Sequence, residues 1–135
     1  MPPERDLESA LGWLDYAEGD LASAETLAEG QGRPNVICFL CQQSAEKAYK
    51  AYLAWLGDTS IPKVHDLDLL ARRIGTEAQE ALPALPEADD LTDYVITGRY
   101  PGLQPIGADE VQPALAMARD VLAWVRRAIG LQEGR

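Results

Sequence analysis

A chain of 135 residues with 22 acidic against 12 basic side chains, a formal net charge of −10, repels nucleic acid over most of its surface. Any polyanion site must therefore be a local basic patch. With 47% hydrophobic residues the chain is long enough to bury one core as a single domain without disulfides or metal, and two cysteines with no signal peptide and no apolar run of about 18 residues point to a soluble, reducing, cytoplasmic setting.

The first periodic stretch carries Leu7, Ala10, Leu11, Leu14, Ala17, Leu21, Ala24 and Ala28 in alternating steps of three and four, which predicts an amphipathic helix. Its alanine-rich stripe allows a partner helix to approach closely. Trp13 and Leu27 widen the buried face, and Glu18, Asp20 and Glu25 are expected to face water. Gly30, Gly32 and Pro34 then leave only a short connection, so the next helix should pack antiparallel.

That next helix is expected to be the centre of the fold. From Asn35, a good N-cap, to Gly57, a good C-terminal stop, 21 residues run without Gly or Pro, roughly 32 Å at about 1.5 Å per residue. Cys38, Cys41, Ala45, Ala48, Tyr49, Tyr52, Trp55 and Leu56 fall on one side and predict a core stripe. The other side opens with Val36, Phe39 and Leu40 and passes into Gln43, Glu46, Lys47 and Lys50. A helix apolar nearly all round at one end is buried on two sides, so Val36, Phe39, Leu40 and Gln43 are the candidate dimer interface.

Beyond Leu56 the segment GDTSIPKVHD is turn-rich, and LDLLARRI should form a short helix with Asp66 as its N-cap. A further helical turn is expected around Glu77 to Leu82, a loop between Pro83 and Pro86, and another helix from Glu87 to Thr97 that stops at Gly98. GRYPGLQPIGA, with three Gly and two Pro, excludes regular structure. The last helix carries Val111, Leu115, Ala118, Leu122, Val125 and Ile129, and Pro113 requires that it either start near that residue or kink in its first turn. With residues 1–131 as one domain and 132–135 as a frayed tail, the pattern is an all-α, up-down bundle of four to five helices.

No phosphate loop, metal-ligand set or nucleophile elbow is present. Cys38 and Cys41 lie within an apolar helical run and read as buried thiols, with no metal and no cofactor implied. The chemically suggestive residues are Lys47, Lys50, His65, Arg99 and Tyr100. Two lysines a turn apart offer a phosphate cradle, Arg99 a bidentate donor, Tyr100 a stacking face and His65 a proton donor or acceptor. Each also has a bland reading, as solvated helix face, helix cap or loop anchor.

QQSAEKAYKAYLAWLG at residues 42–57, P-x-x-HDL at 62–67 and RYP at 99–101 resemble the HEPN domain (higher eukaryotes and prokaryotes nucleotide-binding), as do Trp13, Ala17, Asp20, Leu21 and Ala24 in the first helix. The resemblance spans nearly the whole chain. It implies an all-α bundle that commonly dimerises through its long helices. It further implies one of two functions: a partner of a minimal nucleotidyltransferase in a toxin–antitoxin-type module, or a metal-independent ribonuclease whose motif is an Arg, a polar residue, a short spacer and a His, paired across the dimer. Here the pattern departs from the nuclease motif, because Gly57 to Ser60 stand where that Arg belongs before His65, and no His follows Arg99. The expected function is thus a non-catalytic nucleotide-binding or partner-binding homodimeric subunit working with a minimal nucleotidyltransferase, with Lys47, Lys50, His65, Arg99 and Tyr100 as candidate nucleotide contacts and no membrane association. An unconventional ribonuclease site and a helical dimer used only for protein contact are the alternatives.

Overall fold

The computed structural model describes residues 5–78 and 106–131. Within them lie four α-helices: α1 (Leu7–Glu29), α2 (Pro34–Trp55), α3 (Leu67–Ala78) and α4 (Val111–Ala128), the last preceded by a 3-10 turn at Ala108–Glu110. The expected helix from Glu87 to Thr97, the irregular segment around Arg99 and Tyr100, and the tail at 132–135 lie outside the described residues. No described helix is long and apolar enough to cross a membrane.

The first two helices form the antiparallel pair that their short connection requires, and the amide of Asp6 donates to the carbonyl of Trp55 at 2.9 Å where the pair closes. Asp6 caps α1 by accepting from the Ser9 amide at 3.0 Å. Ala10, Ala17 and Ala24 have no exposed surface, so the α1 and α2 backbones approach closely, and the Ser44 hydroxyl donates to the Ala17 carbonyl at 2.7 Å across the seam. At the turn between them a Cβ on Gly32 would stand 2.5 Å from the Leu27 Cβ, so only glycine fits there. Leu7 and Leu11 depart from expectation: at 44% exposed each, they sit at the margin of the stripe, displaced from the line through Ala10, Leu14 and Leu21 that carries the contact. Glu18, Asp20 and Glu25 also differ from the prediction. They do not face water alone but pair with Arg126, Lys47 and Arg119, stitching α1 to α4 and α2.

Helix α2 is central, packing on α1, α3 and α4. Its predicted stripe is buried from Cys38 through Tyr52 and Leu56, with Trp55 half-buried at the edge, and Ile37, Leu53 and Ala54 are buried in addition. Tyr52 lies 5.3 Å and Tyr49 6.4 Å from the Trp124 ring of α4, centroid to centroid. The helix starts two residues earlier than predicted: Arg33, not Asn35, is the N-cap, because Pro34 fits the first helical position, where its fixed φ suits the helix and its missing N–H costs nothing. Its end matches expectation. Gly57 has φ 89°, and the amides of Gly57 and Asp58 return to the carbonyls of Ala54 and Leu53 in a Schellman arrangement.

The expected break after Ile74 does not occur, for α3 continues through Gly75 to Ala78. Ile74 is buried, and Arg73 and Glu77 pair one turn apart, which carries the helix past its glycine. Pro113 falls in the first turn of α4, where the amide it lacks has no intrahelical partner to lose, so the helix begins at Val111 after a tighter turn.

Candidate polar site on the central helix

Gln42, Glu46 and Lys50 stand four residues apart on α2 and form one line along the helix. All three are buried, at 0%, 4% and 7% exposed. A buried carboxylate persists only if its lone pairs are met, and here both oxygens are. Glu46 Oε2 accepts from Lys50 Nζ at 3.0 Å, while Oε1 accepts from Gln42 Nε2 at 3.1 Å and faces His65 Nδ1 at 2.6 Å. Gln42 Nε2 also donates to the His65 carbonyl at 3.0 Å, and Gln42 Oε1 accepts from Gln43 at 2.6 Å.

The electrostatics follow from these contacts. Burial by itself raises the Glu46 pKa, but hydrogen bonds from His65, Lys50 and Gln42 and the charge of Lys50 outweigh it, and the carboxyl is held below its ordinary value. An ionised carboxylate only accepts, so His65 Nδ1 carries the proton that it shares with Glu46. In the neutral form of that tautomer Nε2 is an acceptor, and the side chain is 48% exposed. Lys50 is further covered by Trp13, whose ring centroid lies 5.7 Å from Nζ.

Lys47 has a different partner. Its Nζ pairs with Asp20 Oδ2 at 2.6 Å and lies 6.0 Å from the ring of Tyr16, which is 66% exposed. The two lysines, a turn apart in sequence, are thus committed to different carboxylates. Of the five candidate nucleotide contacts, Lys50 and His65 meet at Glu46, Lys47 stands beside them on Asp20, and Arg99 and Tyr100 lie outside the described residues. Glu46, Gln42, Asp20 and Trp13 were not among the candidates. The spacing of Gln42, Glu46 and Lys50 is the signal that finds the first two; nothing in the spacing alone ties Glu46 to His65, which reaches it from the loop before α3.

The candidate interface is only partly open: Val36 is 39% exposed, whereas Phe39, Leu40 and Gln43 are half-buried. Among the described residues no group of three or more His, Cys, Asp or Glu is placed to hold a metal ion. Cys38 and Cys41 are both buried and form no disulfide, and the Cys38 thiol donates to the Glu110 carbonyl at 3.8 Å. Burial, reinforced by Cys38 and opposed by Arg119, pushes the Cys41 thiol up to about 12, which makes it a packing group and not a nucleophile.

Comparison with known proteins supplies the family. No curated protein matches the chain. Among solved structures, the crystal structure of TT1696 from Thermus thermophilus is 30% identical, with a TM-score of 0.76 over 87% of this chain and 96% of that one. The crystal structure of ST0689, an archaeal HEPN homologue, is 26% identical, with a TM-score of 0.67 over 90% of this chain and 98% of that one. The HEPN domain model matches residues 10–128, from the first buried alanine of α1 to the last residue of α4, and the chain belongs to the HEPN domain family.

Proposed function

We propose that this chain is a non-catalytic subunit that binds a nucleotide and a protein partner, working as a homodimer beside a minimal nucleotidyltransferase in a toxin–antitoxin-type module. The observation that carries the binding reading is the fully satisfied Glu46 carboxylate, which fixes one half-exposed imidazole in direction. Lys47, next along the helix and half-buried, supplies a cation for a phosphate that takes the place of Asp20, and the exposed Tyr16 ring beside it supplies a face for a base. Attack by a ribose 2′-OH needs more than one oriented group, since a base must be joined by a cation or acid that meets the developing charge. Lys50, the cation that shares Glu46 with His65, is buried and neutralised by that carboxylate, which favours binding over cleavage. The partner and the module rest on family membership and not on contacts within this chain.

The ribonuclease reading keeps one specific support: a carboxylate that orients a histidine and leaves Nε2 as acceptor is the arrangement of a general base. One pair of experiments separates the readings. Titration with AMP and ATP, followed by the NMR signals of His65 and its neighbours, should give saturable shifts that His65→Ala and Lys47→Ala abolish. Absence of saturation at millimolar ligand would instead favour a dimer used only for protein contact. Single-stranded RNA incubated with the protein in chelator should remain intact, and cleavage lost in His65→Ala would overturn the non-catalytic reading.

A further inference from the structure

His65 is the penultimate residue of a loop, and a loop has no helical ladder to fix its side chains. What fixes this one is visible at both of its ends. At the start, the Schellman turn at Gly57 delivers Asp58, whose side chain is 4% exposed, into the protein. Asp58 Oδ1 accepts from the Ser60 amide at 2.7 Å, which folds the loop back on itself. At the far end Asp66 accepts from the amides of Asp68 and Leu69 at 3.0 and 3.2 Å and so caps α3, leaving His65 immediately outside the helix.

The two ends are joined by Arg73. Its guanidinium extends from α3 to the beginning of the loop, with Nη2 2.9 Å from Asp58 Oδ2 and 3.2 Å from the Ser60 carbonyl, and Nε 3.7 Å from Glu77. One planar cation thus contacts a buried carboxylate and a backbone carbonyl at once, which a flexible ammonium does less well. Nearer His65 the loop is held by the Gln42 bond to the His65 carbonyl and by Ile61 and Val64, which pack against the core.

We propose that Arg73 is a positioning residue for the candidate site: by clamping Asp58 and Ser60 it closes the loop of residues 57–66 and sets the His65 imidazole against Glu46. The inference takes His65 as part of the site, as the functional reading does, but its test reads the imidazole itself and needs no ligand. It can therefore fail while the binding reading stands, and the reverse.

The readout is the histidine tautomer, followed through the ring 15N shifts at a pH where the ring is neutral. Glu46 holds the proton on Nδ1, whereas a histidine in water favours the Nε2–H form. Arg73→Ala and, should that variant fold poorly, Asp58→Asn should both move the ring toward the Nε2–H form, and Arg73→Lys should restore part of the Nδ1–H population. Leu70→Ala, which removes a fully buried side chain of the same helix without touching the clamp, is the control for loss of stability alone. It should lower the melting temperature and leave the tautomer where it was. An Nδ1–H population unchanged in both Arg73→Ala and Asp58→Asn, or lost equally in Leu70→Ala, would overturn the proposal.

Discussion

Replacing Glu46 by Gln would leave Lys50, 7% exposed and covered by Trp13, as a buried cation without its counter-charge. Removing one partner of a buried pair costs about 3–5 kcal/mol, far more than the pair contributes relative to apolar residues of the same shape, because the remaining charge stays desolvated. Glu46→Gln should therefore lower the unfolding free energy by that order in urea at neutral pH. The effect must depend on pH in a definite direction. The Glu46 pKa is lowered in the folded state, so its contribution is fully present above the ordinary value of 4.5 and is lost as pH falls through the lowered folded value. The gap between wild type and Glu46→Gln should accordingly narrow on acidification below about 4.5, and a gap independent of pH would show that the carboxylate is not ionised in the native protein.

At the scale of the helices, the close α1–α2 seam makes a sharper prediction than its hydrophobicity does. Ala17 has no exposed surface, and its carbonyl accepts from Ser44, so Ala17→Leu must force the pair apart and should cost about 1–3 kcal/mol. Leu11→Ala, in the same predicted stripe but 44% exposed, should cost much less. Thermal melts of the two variants would rank them, and the reverse order would mean that the alanine stripe is not the contact line. These two residues also show what periodicity carries. A period of 3.6 located the cores of α1, α2 and α4 because burial of an amphipathic helix repeats with the backbone, but it does not say where a stripe ends. The ends are set by geometry between elements: Leu11 lies off the contact line, Arg33 replaced Asn35 as cap because Pro34 takes the first turn, and Glu18, Asp20 and Glu25 found cations on other helices. The candidate site divides in the same way. Lys50 and Glu46 are readable from their spacing on one helix, whereas the meeting of Glu46 with His65, 19 residues on, and the span of Arg73 back to Asp58 depend on how a loop closes.

For the molecule as a whole the net charge of −10 sets the terms of self-association. Two copies repel each other in water, and the repulsion is weakened as salt shortens the Debye length from about 10 Å at 0.1 M to about 3 Å at 1 M. A homodimer of this chain has to be held by apolar contact, and the proposed face offers Val36 at 39% exposed together with the half-buried Phe39 and Leu40 at the start of α2. This predicts an association that strengthens with salt, opposite to the weakening expected if the interface consisted of ion pairs between copies. Light scattering at 0.1 and 1 M salt reads the sign directly. Phe39→Asp adds a charge to that face and a further unit to the repulsion, so it should give monomers at low salt and recover only in part at high salt. A wild type that dissociates as salt rises would assign the interface to charged surfaces instead, and a Phe39→Asp variant of unchanged mass would move it away from the start of α2.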